Sequence, residues 1–85
     1  MQSLNLSGSS EMVSYAAYDA ERALLYLTYH SGNTTIAYQD VSPALFEELC
    51  RAAYPDVCIR FKIQARHSFQ RLAADHLFYE YKVIK

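Results

Sequence analysis

The sequence predicts a small single domain of the α+β class: a three-stranded antiparallel meander, a helix, then a further strand or short helix and a C-terminal strand. Three observations lead there. Between Met12 and Asp40, three short segments rich in tyrosine, leucine and threonine are separated by turn-forming residues, the pattern of a meander. Ser42-Pro43 then opens a stretch with helical spacing. The 85 residues, 52% of them hydrophobic with a net charge of -1, suffice for one core but not two, and are too apolar for a disordered chain.

Met1 to Ser10 have neither a basic start nor an apolar run, so they read as a flexible leader ahead of a domain spanning residues 11–85. The first strand is expected from about Met12 to Tyr18, with Val13, Tyr15 and Ala17 on one face. It closes at Asp19, whose carboxylate can bond its own backbone in a turn. The second runs from about Ala23 to His30. Leu25, Leu27 and Tyr29 share one face and Leu24, Tyr26 and Thr28 the other, so both faces are expected to be at least partly covered. Ser31-Gly32-Asn33 makes the next turn, where Gly and Asn supply positive φ. The third strand is expected from Thr34 to Asp40.

The helix begins where Ser42 can cap orphan amides and Pro43 fits the first helical position. Val41 and Phe46 are spaced to touch across that start. Leu45, Leu49, Ala52 and Ala53 repeat at helical spacing, and Pro55 pushes Tyr54 out of the α region. Residues 57–66 are open between two readings. Val57, Ile59, Phe61 and Ile63 alternate with Cys58, Arg60, Lys62 and Gln64, which by period is a strand aligning Arg60, Lys62 and Arg66 on one wet face. As a helix the same residues scatter those cations, at ~100° per residue. Phe69 to Asp75 reads as a short helix, and Tyr79, Tyr81 and Val83 as a last strand.

Charge is divided along the chain. Residues 1–49 carry one arginine against six carboxylates, and residues 50–85 carry seven cations against three carboxylates. The halves therefore attract different partners, or each other. No apolar stretch approaches the ~18 to 20 residues of a membrane span, so no membrane role is expected. Two cysteines without an export signal favour reduced thiols and a cytoplasmic location.

Several landmarks fall in a familiar order: Ser9-Ser10, Tyr18-Asp19, Leu25, Tyr29, Gly32, Tyr38, Val41, Pro43, Phe46, Leu49 and Ala53. In that order and at those distances the chain resembles the KTSC domain, over roughly residues 9 to 72. The family's central tyrosine-any-tyrosine motif stands here as Ile36-Ala37-Tyr38, and its usual asparagine falls near Arg60. Its serine and glycine after the helix have no clear counterpart around Tyr54-Pro55-Asp56. The resemblance implies a small α+β module of a kind found as stand-alone bacterial proteins and at the C-terminus of some lysyl-tRNA synthetases, with RNA as a partner class.

The chemistry-bearing residues concentrate in Arg60-Phe61-Lys62, Arg66-His67-Ser68-Phe69 and Arg71, where cations can hold phosphates and exposed rings can stack on bases. The candidate binding residues are Tyr38, Arg60, Lys62, Arg66, His67 and Arg71. Eight tyrosines exceed what so small a core needs, so a tyrosine-rich sheet face is a second candidate surface, for a protein partner or a homodimer. Cys50, Cys58, His67 and His76 lack the paired spacing of a zinc site. With two glycines there is hardly a phosphate loop, and Ser68 beside His67 or Asp75 beside His76 are neighbours that point apart on a strand. The expectation is a non-catalytic module without cofactor that engages RNA, an RNA-associated protein or another protein, or acts as a small inhibitor or accessory factor of a mobile element such as a phage.

Overall fold

A computed structural model describes residues 1–72 and 82–83. Among these, six strands form one antiparallel sheet in chain order: β1 (Gln2–Asn5), β2 (Val13–Asp19), β3 (Leu24–Tyr29), β4 (Thr35–Tyr38), β5 (Phe69–Leu72) and β6 (Lys82–Val83). Between β4 and β5 the chain leaves the sheet for α1 (Pro43–Arg51) and α2 (Pro55–Cys58). The second of these runs directly into a π-helical segment, Ile59–Gln64. The α+β class therefore holds, but four strands precede the first helix where the sequence reads three.

The added strand lies inside the expected leader. Gln2 to Asn5 pair with Tyr18 to Tyr15, and Leu6 is buried. Two leucines in a polar decapeptide are a weak local signal, and β1 owes its existence to an open edge of β2 rather than to its own propensity. The expected faces of β2 also need correction. A bulge between Val13 and Tyr15 reverses the alternation, so Val13 packs with Ala16 and Tyr18 in the core while Tyr15 and Ala17 turn to the other side.

The turns follow their residues. Asp19 Oδ1 accepts from the amides of Glu21 and Arg22 at 3.1 and 3.3 Å, and Gly32 takes a φ of 68° between β3 and β4. Ala23 sits at a φ of 55°, a left-handed conformation that crowds a Cβ, held because its carbonyl accepts from the Val41 amide at 2.9 Å. Ala23→Gly is therefore expected to stabilise the protein by about 0.5–1 kcal/mol, after allowing for the extra freedom glycine has when unfolded, and a urea titration would read it. An unchanged or lower midpoint would show that the strain is relieved elsewhere.

α1 starts as its residues dictate. Ser42 Oγ accepts from the Leu45 amide at 3.1 Å, Pro43 occupies the first turn, and Val41 and Phe46 are both buried in the core. Tyr54, at φ -126° and ψ 82°, is outside the α region as the following proline requires, and Pro55 then opens α2.

One face of the sheet, carrying Val13, Ala16, Tyr18, Leu25, Leu27 and Tyr38, is covered by Phe46 and Leu49 of α1 and by Cys58, Ile59 and Ile63 beyond it. The Tyr18 ring stacks on Phe46 with centroids 4.8 Å apart, and its hydroxyl donates to the Val41 carbonyl at 2.6 Å, so this tyrosine is satisfied at both ends. On the opposite face Ala17, Leu24, Tyr26 and Ala37 are buried, so β3 is covered on both sides as expected.

Two further expectations are corrected. Phe69 to Leu72, read as the start of a short helix, is β5, paired with Tyr38 to Thr35; residues 73–75 of that expected helix lie outside the described residues. Pairing with β4 on one side and β6 on the other satisfies this segment's backbone, a non-local benefit that four residues do not advertise. The last strand is present at Lys82–Val83, while residues 79–81 of the expected strand lie outside the described residues.

Candidate functional site

Residues 57–66 are helical, and this decides where the candidate cations go. Four apolar residues at every second position are also two stripes at i and i+4. In a helix one stripe faces in and the other out. Ile59 and Ile63 are fully buried, whereas Val57 and Phe61 are 55% and 61% exposed. Tyr54, just before α2, is 77% exposed. The result is an apolar ridge of Tyr54, Val57 and Phe61 on the surface of the helical layer, opposite the side that packs on the sheet. π-helical turns recur at functional sites because they redirect side chains at some cost in backbone geometry. Here the Ile59–Gln64 segment carries both the buried isoleucines and the outward phenylalanine.

The cations that a strand would align are separated. Lys62 Nζ pairs with the Glu48 carboxylate on α1. Arg60 lies the other way, its Nη2 3.5 Å from Met12 Sδ. Arg66 is exposed in the turn that follows the π-helical segment, and Arg71 is on β5, with Nη2 3.5 Å from Thr34 Oγ1. Arg51 pairs with Glu47 at 3.7 Å and Arg22 lies 4.0 Å from Asp19. Two cations of the second half, Arg51 and Lys62, thus face acids contributed by the first half.

Two of the candidate binding residues, His67 and Tyr38, serve the fold. His67 Nδ1 donates to the Gln39 carbonyl at 2.8 Å while the Gln39 amide donates to the Ser68 carbonyl at 2.8 Å, so this segment is strapped to the end of β4. Tyr38 is buried, its hydroxyl 2.8 Å from that of Tyr29, which also accepts from Gln64 Nε2 at 2.8 Å. Burial, followed by the Tyr29 contact, pushes the Tyr38 hydroxyl well above the ordinary tyrosine range, and it stays protonated. The expected tyrosine face is not assembled among the described residues: Tyr18, Tyr26 and Tyr38 are buried, and the exposed tyrosines, Tyr15 and Tyr54, stand on separate elements. Tyr79 and Tyr81 lie outside the described residues.

At the foot of the ridge is a network that the sequence did not reveal. Asp56 accepts from the Ser10 hydroxyl and, at 3.0 Å, from the Glu11 amide. Ser10 Oγ in turn accepts from the amides of Met12 and Val13 at 3.1 and 2.9 Å. Partial burial alone raises the Asp56 carboxyl, but the Ser10 hydroxyl, the Glu11 and Met12 amides and the Arg60 charge outweigh it and hold it below the ordinary range. With its oxygen engaged by two amides and its proton given to a carboxylate, Ser10 is a joint between β2 and α2. Its partner is 46 residues away, so no local pattern marks it.

Between the ridge and this network lies a cleft of about 110 Å³, lined by Asp56, Val57, Arg60 and Phe61. A broader depression at Glu47, Cys50 and Arg51 offers a thiol, but desolvation and the Glu47 charge raise its pKa, the reverse of an activated nucleophile. Cys50 and Cys58 are both free. Among the described residues no three His, Cys, Asp or Glu side chains gather as a metal site would need, and no helix is long and apolar enough to cross a membrane.

An antiparallel sheet carried in chain order, with a two-helix layer on one face inserted before its fifth strand, defines a small α+β module whose outward feature is the ridge on that layer. The model of the KTSC domain matches residues 9–66, and the chain belongs to the KTSC domain family. The crystal structure of a KTSC domain protein from Yersinia pestis is similar, with a TM-score of 0.75 at 15% sequence identity, covering 85% of this chain and 97% of that one. At that identity the likeness speaks for the fold. No curated protein matches the chain significantly.

Proposed function

We propose that this chain is a non-catalytic protein-binding module whose docking surface is the ridge of Tyr54, Val57 and Phe61. The observation that carries the reading is the outward i and i+4 apolar pair on a helix whose buried side already supplies the core. Exposing Val57 and Phe61 on one cleft, with an exposed Tyr54 ring just before them in the chain, costs solubility without adding to the packed interior, and such patches mark contact surfaces. Aromatic residues are also the anchors around which interfaces concentrate their energy. The RNA partner implied by the family is less well supported by the charge distribution. Lys62 and Arg51 face carboxylates, and Arg60, Arg66 and Arg71 are spread over different elements. Binding driven by phosphates needs cations aligned along one track.

Site-directed photo-crosslinking in cells that make the chain tests this. Benzoylphenylalanine in place of Phe61 is expected to trap a discrete protein adduct, and the same residue in place of Tyr15 is not. A nucleic-acid adduct at position 61, or the same protein adduct from both positions, would overturn the reading.

A further inference from the structure

The charges around the cleft say more about its occupant than the apolar ridge does. Arg60 lines the cleft beside Val57 and Phe61, and it helps to hold Asp56 ionised, yet no ion pair forms between them. The Asp56 carboxylate is already taken by the Ser10 hydroxyl and the Glu11 amide. The guanidinium instead rests one nitrogen on Met12 Sδ, a weak neutral acceptor, and feels the Asp56 charge across the cleft without bonding to it. A guanidinium so placed keeps its other donors for a planar anion, which a carboxylate matches in a bidentate pair. In the turn just beyond the helical run, exposed Arg66 likewise has no carboxylate within ion-pair distance among the described residues. The cleft, about 110 Å³, equals the share of about four water molecules and suits one aliphatic side chain.

We propose that the cleft receives an acidic, apolar peptide segment of a partner protein, with one aliphatic side chain between Val57 and Phe61 and a neighbouring carboxylate on Arg60. This rests on the ridge being a protein-docking surface and names the chemistry of what docks there. Complementary charge suppresses wrong partners and speeds encounter, while the apolar anchor supplies most of the affinity.

The test uses fluorescence anisotropy of the full chain with three labelled probes: a dodecapeptide of leucines at helical spacing with glutamates between them, the same peptide with lysines for the glutamates, and oligo-uridylate. The glutamate peptide is expected to bind, and the lysine peptide to bind at least tenfold more weakly. Arg60→Ala should weaken the glutamate peptide about tenfold, Phe61→Ser should abolish binding, and Arg22→Ala, remote from the cleft, should leave it unchanged. Equal binding of the two peptides, indifference to Arg60→Ala, or preference for oligo-uridylate overturns the proposal. So does self-association of the chain that Phe61→Ser breaks, since the occupant would then be a second copy. If the glutamate peptide fails while crosslinking at position 61 still traps a protein, the acidic occupant falls and the docking surface stands; if both fail, the surface itself falls.

Discussion

Ile63→Ala is expected to lower the unfolding free energy by about 3 kcal/mol, while Phe61→Ala, two residues away, changes it by less than about 0.5 kcal/mol. Ile63 is fully buried with Ile59 against the sheet, and removing three carbons there leaves a cavity that well-packed neighbours close only in part. Phe61 is mostly exposed, so its larger ring has little packing to lose. An 85-residue domain has a total stability of about 4–13 kcal/mol, so the first change is severe and the second invisible. Urea midpoints with unchanged slopes would read both. If residues 57–66 formed a strand with Ile59, Phe61 and Ile63 on one inner face, the two substitutions would cost similar amounts. Comparable losses would therefore remove the inward and outward stripes on which the proposed surface depends.

Ser10→Ala is expected to cost about 2–3 kcal/mol near neutral pH. One hydroxyl is lost, but the Met12 and Val13 amides lose their acceptor and the Asp56 carboxylate loses a donor, and bonds to charged groups are the stronger kind. The effect should depend on pH with a definite sign. Asp56 has a folded pKa below its ordinary value of 3.8, so its contribution is fully present above that value and is lost as pH falls through the lower folded one. In acid the carboxylate is protonated, and the cost of Ser10→Ala should shrink toward that of the two amide bonds alone. Unfolding of the parent and the variant at pH 7 and at steps down through the acid range below 3.8 measures this. A difference that stays the same, or grows in acid, would rule out the Ser10–Asp56 joint as a source of stability.

The elements legible in the sequence are those whose cause is local. Ser42 and Pro43 act within one helical turn, Asp19 bonds amides two and three residues on, and Gly32 meets its own backbone requirement. What escaped depends on distant partners. β1 forms because β2 offers an edge, β5 because β4 offers the other, and the bulge between Val13 and Tyr15, where β2 pairs with β3, reverses the faces of β2. For residues 57–66 the difficulty is different: period two and paired i and i+4 stripes are one pattern, and only docking on the sheet selects between them. The candidate site was legible in the same measure. Its cations and rings were visible as composition, whereas the acids that neutralise Lys62 and Arg51, the carbonyl that engages His67 and the outward turn of Val57 are products of the fold.

Strand order that matches chain order has a kinetic meaning. The first four strands close through connections of about four to seven residues, but β4 reaches β5 only across the thirty residues that hold the helical layer. Closing that span costs about 1.6 kcal/mol more entropy than closing a five-residue loop. The meander can zip first and cheaply, and the Tyr54 ridge reaches its final position only when the helices settle on a sheet already formed. An emerging chain is therefore expected to present the proposed docking surface late, after the framework that supports it is in place.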